Sequence, residues 1–137
     1  MRYLALLLLI PCQIQAGVVT NIVQASIEAA AVDSSVPAKV LNAICYVESG
    51  HNPRAINRND NGSPSYGLCQ LKLATARGIG FRGKWKLLLN PIINAKFAAK
   101  YLHTQYVRYG HSWLKAISAY NAGHPIDKNQ KYVDRVV

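Results

Sequence analysis

The sequence predicts an all-α, mainly helical fold in a single domain, and three observations predict it. Apolar residues recur at i, i+3, i+4 and i+7 through most of the chain. No stretch of useful length alternates apolar and polar residues as a half-buried strand does. At 137 residues the chain can bury one modest core.

Residues 1–16 read as an export signal. Arg2 is a short positive region, Tyr3 to Ile10 is an apolar run, Pro11 breaks it, and Ile14-Gln15-Ala16 suits a cleavage site. The run is too short to span a bilayer as a helix. Leu9-Ile10-Pro11-Cys12 faintly resembles a lipoprotein signal, but the proline before the cysteine argues against one. The alternative is a buried N-terminal strand or helix. Export, cleavage after Ala16 and a mature domain of residues 17–137 are expected, in the periplasm or outside the cell. Cleavage removes Arg2 and no acidic residue, taking the formal charge from +10 to +9. Such a chain suits anionic partners, namely an acidic wall polymer, an acidic membrane surface or nucleic acid, and export makes nucleic acid the least suitable. No run of five like charges occurs, so much of this charge is expected on a solvated surface.

Along the mature chain, Asn21 to Val32 is alanine-rich, with Ile22, Ala25, Ala29 and Val32 on one helical face. Asp33-Ser34-Ser35 is a turn, and Pro37 suits the first turn of the next helix, Ala38 to Gly50. His51 to Tyr66 has no period and reads as turns. Asn57, Asn59, Asp60, Asn61 and Gly62 hint at a calcium loop but lack EF-hand spacing and its closing glutamate. Leu68 to Ala76 reads as a short helix closed by Gly78 and Gly80, and Lys84 to Leu89 as one more turn. Asn90-Pro91 starts a long helix with Ala95, Ala98, Leu102, Tyr106 and Tyr109 on one stripe, ended by Gly110. Ser112 caps a shorter helix carrying Trp113, Ala116, Ile117 and Tyr120. Lys128 to Val136 is a last helix with Tyr132 and Val136 on one side.

The helix Ala38–Gly50 carries the chemistry. Leu41, Cys45 and Glu48 share a face, which puts a carboxyl group at the end of an apolar stripe. Desolvation there raises its pKa, as general-acid chemistry requires. Gly50 and Pro53 end the helix, so the carboxyl stands at a C-terminus, where the dipole disfavours negative charge. The alternative is a surface glutamate in a last turn. With Cys12 removed, Cys45 and Cys69 are an even pair in an oxidising compartment, expected to form a disulfide; two buried thiols are the alternative. No Ser-His-Asp or Cys-His arrangement is evident, and His51, His103, His111 and His124 lack metal-ligand spacing, so neither metal nor cofactor is expected.

Glu48-Ser49-Gly50, Gly67-Leu68-Cys69-Gln70, Thr75-Ala76, Ala119-Tyr120-Asn121-Ala122-Gly123 and Tyr132-Val133 follow in one order. Each is weak alone; together they resemble the soluble lytic transglycosylase family, over Val18 to the C-terminus. The resemblance implies a lysozyme-like domain with a substrate groove, related to goose-type lysozyme. It implies non-hydrolytic cleavage of peptidoglycan between N-acetylmuramic acid and N-acetylglucosamine, leaving a 1,6-anhydro ring. Glu48 then matches the acid/base, Ser49 a hydrogen-bonding groove residue, and Gln70 the groove glutamine. Gly67 matches a position of close backbone approach, Tyr120 a tyrosine near the acid, Asn121 a polar groove or structural residue, and Tyr132 a tyrosine of the last helix. Tyr120, on an apolar face, needs a partner for its hydroxyl, either Glu48 or a backbone carbonyl. One carboxylate suffices for substrate-assisted cleavage, whereas ordinary hydrolysis uses two. Asp60 is the plausible second, and if it faced Glu48 a hydrolytic muramidase would be the rival. A non-catalytic wall-binding component of a secretion system is the rival from another class.

The chain departs from the family in three places. Cys69 stands where methionine is common, the loop Asn57–Tyr66 is expected to be longer than the shortest versions, and the chain stops soon after Tyr132, as a short last helix or a fragment would. The expected partners are peptidoglycan glycan strands and, for a small exported monomer, a secretion-system or phage assembly.

Overall fold

The computed structural model describes residues 12–137. Residues 1–11, most of the expected leader, lie outside the described residues. Six helices and one small sheet follow: α1 (Cys12–Asp33), α2 (Ala38–Ser49), β1 (Ile56–Asp60), β2 (Ser63–Tyr66), β3 (Leu71–Lys72), α3 (Leu73–Gly78), α4 (Pro91–Arg108), α5 (Trp113–Ala122) and α6 (Gln130–Val136). A 3-10 turn at Trp85–Leu89 precedes α4. The fold is mainly helical, as the periodicity predicts. Among the described residues no helix is long and apolar enough to cross a membrane.

α4 is the central helix, packed against α1 on one side and α5 on another. Its start is as expected, with the Asn90 side chain accepting from the amides of Ile92 and Ile93 ahead of Pro91. Small residues, Ala95, Ala98 and Ala99, let its neighbours approach closely, and Leu102 fills the space beyond them. The far end of the expected stripe is different. Tyr106 is only half-buried and stacks on Trp113 at 4.0 Å, and Tyr109 caps the helix. Ser112 caps α5, accepting from the Lys115 amide.

Two expectations are corrected. In α1 the buried face is Val23, Ile27 and Ala30, while Ile22 (46% exposed), Ala25, Ala29 and Val32 (78%) face outward. Both stripes satisfy helical spacing in so alanine-rich a segment; α4 and α2 pack against α1, and they decide which side is covered. Ser26 joins the buried face by donating to the carbonyl of Ile22 (2.7 Å).

The segment read as turns is instead an antiparallel sheet in the order β1-β2-β3. Its first two strands are rich in Asn and Ser, and only β1 is largely exposed, so no apolar alternation marks them. Asp60 pairs with Ser63 across Asn61-Gly62, both with positive φ (53° and 91°). Asn-Gly with this geometry is the strongest local hairpin signal, and it was present in the sequence. The expected helix Leu68–Ala76 is likewise shortened. Gln70 has φ 53°, Leu71–Lys72 is strand, and helix begins only at Leu73.

Candidate active site

Glu48 is set by helix geometry. Leu41, Ile44 and Cys45 are fully buried on α2, and the same stripe carries Glu48 to the last turn, half-buried. Gly50 closes the helix in the left-handed region (φ 63°), its amide donating to the carbonyl of Tyr46 (2.7 Å). The carboxyl opens into a cleft of about 300 Å³ between the sheet and α5. Gln70, Tyr120 and Asn121 line the same cleft, as do Asp60, Lys72, Thr75 and Tyr101.

Burial pushes the Glu48 carboxyl up to about 7. The Tyr132 hydroxyl opposes this by donating to Oε1 at 2.7 Å, which favours the charged form. The charge of Asp60 raises the pKa further and that of Arg135 lowers it. With Oε1 held by Tyr132, the other oxygen is the one free to carry a proton towards the cleft. Burial, followed by the charge of Glu48, raises the Tyr132 hydroxyl well above its ordinary range, so it stays a donor. The half-charged, half-protonated state near neutrality suits a group that gives a proton and then takes one.

Tyr120 is buried in the cleft wall and donates to the carbonyl of Cys69 (2.8 Å), a backbone partner and not Glu48. Its ring packs on Tyr101 at 5.3 Å. Thus Tyr132, and not Tyr120, holds the glutamate, and Tyr120 braces the opposite wall. Ser49 points away from the cleft. Its hydroxyl donates to the carbonyls of Leu68 (2.5 Å) and Cys45 (3.2 Å) and accepts from the Asn52 amide (3.0 Å). Gln70 is pinned as well as lining, with its amide nitrogen donating to the carbonyls of Ala55 and Gly67 and its oxygen accepting from Ser65. Gly67 is required by the protein's own packing. It has φ 78°, and a Cβ there would meet the Leu88 carbonyl and the Asn94 amide. Asn121 reaches Asn129 at 3.5 Å and otherwise faces the cleft.

Cys45 and Cys69 form a disulfide, joining α2 one turn before Glu48 to the loop just before Gln70. Two contributors escaped sequence reasoning. Asn94 is fully buried beneath this loop. Its oxygen accepts from the Cys69 amide (2.9 Å) and its nitrogen donates to the carbonyls of Tyr66 and Leu88 (both 2.8 Å). A polar residue at i, i+4, i+8 with Ala98 and Leu102 was the signal for it. Tyr101 stands outside the expected apolar stripe of α4 and gave none. Among the described residues no cluster of three or more His, Cys, Asp or Glu groups could hold a metal.

The sequence profile of the transglycosylase SLT domain family matches residues 25–135. The chain belongs to this family. It is similar to the protein IpgF of Shigella flexneri, at 37% identity over 92 residues, covering 65% of this chain and 59% of the relative. It is also similar to the invasion protein IagB of Salmonella typhimurium, at 35% over 92 residues, covering 65% and 56%. The chain therefore spans less than two thirds of the length of these relatives. Among solved structures, an inactive mutant of the lytic transglycosylase Slt from Pseudomonas aeruginosa superposes with a TM-score of 0.70 at 23% identity, over 82% of this chain and 22% of that one. The 70-kDa soluble lytic transglycosylase of Escherichia coli gives 0.64 at 23% identity, over 81% and 18%. These two likenesses are of fold, and they make the domain lysozyme-like.

Proposed function

We propose that this SLT domain is a peptidoglycan lytic transglycosylase with Glu48 as its one acid/base. The observation that carries the reading is the Glu48 carboxyl held by Tyr132 in an open cleft, with its pKa raised to about 7. Protonated Glu48 gives its proton to the glycosidic oxygen as the bond from C1 of N-acetylmuramic acid to that oxygen breaks. The acetamido oxygen of the same sugar supports the cationic carbon. The Glu48 carboxylate then takes the proton of the C6 hydroxyl, and O6 bonds to C1, closing the 1,6-anhydro ring. No water is consumed, and Glu48 ends protonated, ready for the next cut. Gln70, Asn121 and Thr75 provide polar groups along the cleft for sugar hydroxyl and acetamido groups.

A second reading is favoured by Asp60, which lines the cleft and acts on Glu48 through its charge. With two carboxyl groups present, Asp60 would stabilise the cationic carbon or activate water, and the enzyme would be a hydrolytic muramidase. The raised acid, the disulfide and the basic balance all fit action on the cell wall after export, with residues 1–16 removed. The likeness to an invasion protein fits a role beside a secretion assembly. The test is the release of soluble glycan fragments from purified peptidoglycan by the full chain and by Glu48→Gln. Release that disappears with the variant supports the reading; equal release from both would end it. An Asp60→Asn variant separates the two chemistries, since it abolishes turnover by the hydrolase and alters the transglycosylase only by letting the Glu48 pKa fall.

A further inference from the structure

From Asn61 to Ile126 the chain holds nine lysines and arginines and no aspartate or glutamate. The fold gathers several of them on one face, away from the cleft. Lys96 and Lys100, one turn apart on α4, are exposed, with their ammonium groups 5.8 and 5.3 Å from the centre of the Phe97 ring. Phe97 packs edge-on against Phe81 (5.3 Å), and the exposed Arg82 guanidinium donates to the carbonyls of Phe81 and Arg77 (both 3.2 Å). Arg82, Lys96 and Lys100 therefore surround one aromatic pair. Apolar side chains stand exposed beside them. Leu87 (48%) closes on Phe81 over Gly83, where a Cβ would meet both. Ile92 (62%) stands one turn before Lys96, and with Ile22 it lines a shallow groove between α1 and α4. The α1 stripe of Ile22, Ala25 and Ala29, expected in the core, forms the groove's other wall, and Asp33 is the acid that shares the groove with Lys96. None of these residues lines the Glu48 cleft.

We propose that this face docks on an anionic phospholipid surface, with Arg82, Lys96 and Lys100 against headgroup phosphates and Ile22, Leu87 and Ile92 entering the headgroup boundary. Binding of this kind adds buried apolar area to electrostatic attraction. Each cation near an anionic leaflet contributes about fivefold in partition. Charge alone would suit an anionic polymer equally well. The exposed isoleucines and leucine among the cations favour lipid, because a solvated polymer gives them no apolar layer to enter. The docked face leaves the cleft uncovered. The inference goes beyond the cleavage reading and does not depend on it, since it concerns a different surface.

The test is flotation of the full chain with vesicles of phosphatidylglycerol and phosphatidylcholine in equal parts, and with vesicles of phosphatidylcholine alone. The mixed vesicles should bind more than about tenfold more strongly than the neutral ones, and salt should weaken that binding. Lys96→Gln combined with Lys100→Gln lowers it about thirtyfold, and Ile92→Ser lowers it about fivefold. Each variant keeps the thermal midpoint of the unsubstituted chain, since these side chains are exposed. Equal binding to both kinds of vesicle, indifferent to the substitutions, is insertion of the apolar run at residues 3–10 and overturns the proposal. Loss in the lysine variant without loss in Ile92→Ser, together with retention on a polyphosphate resin, assigns the face to an anionic polymer and overturns it as well. So does failure to float with the mixed vesicles.

Discussion

Replacing Tyr132 with phenylalanine removes one hydroxyl and leaves the buried ring in place. That hydroxyl donates to Glu48 Oε1 at 2.7 Å and favours the charged carboxylate. A hydrogen bond to a charged acceptor stabilises by about 1.5–3 kcal/mol. At 1.36 kcal/mol per pH unit, its loss raises the Glu48 pKa by about one to two pH units above its value near 7. Asp60, which pushes the same way, and Arg135, which opposes it, both remain in the variant. The reaction begins with protonated Glu48, so the alkaline limb of kcat/KM should move upward by that amount. For a shift of about 1.5, kcat/KM at pH 8 relative to pH 6 rises from roughly 0.1 to roughly 0.8. The maximal rate falls, by about tenfold, because the carboxyl loses the bond that orients it. The assay is fragment release from soluble glycan strands between pH 5 and pH 9. An alkaline limb that stays put, or moves to lower pH, would refute the assignment of Tyr132 as the group that sets the acid.

Glu48→Gln should stabilise the fold while abolishing turnover. The folded pKa of Glu48 lies above its ordinary 4.5, so the folded state binds more protons than the unfolded one between about 4.5 and 7. Its burial therefore costs nothing below 4.5, costs progressively more as pH rises to 7, and stays constant above. Urea unfolding at pH 4 and pH 8 should show the variant gaining about 2 kcal/mol at the higher pH, the full shift of about 3 kcal/mol reduced by solvent screening of a half-buried carboxyl, and little at the lower. Equal effects at both would show that the carboxyl is not desolvated. The disulfide should contribute about 3 kcal/mol by closing its loop in the unfolded chain. Denaturation with and without reductant measures it, and an unchanged midpoint would mean that Asn94, Ser49 and Tyr120 hold the loop unaided.

Much of the site was legible because helical spacing determines direction. Leu41, Cys45 and Glu48 had to share a face, and Asn90-Pro91 and Ser112 had to start helices. The wall opposite Glu48 was harder. Its strands are polar and held by backbone hydrogen bonds, which leave no side-chain period, and only Asn61-Gly62 betrayed the hairpin. Which tyrosine meets Glu48 was not legible either. The bond from Tyr132 spans 84 positions, and spacing within α5 or α6 says nothing about how those helices approach α2. The buried face of α1 failed for a related reason, since two alanine-rich stripes were equally periodic and only packing partners distinguish them.

The most direct measurement of the central claim is the mass of the fragments released from purified peptidoglycan. Direct attack of the C6 hydroxyl at C1 predicts muropeptides one water lighter than hydrolysis gives, with no reducing end, and their disappearance in Glu48→Gln. Fragments at full hydrolytic mass with reducing ends would contradict the claim and make the Glu48–Asp60 pair a hydrolase.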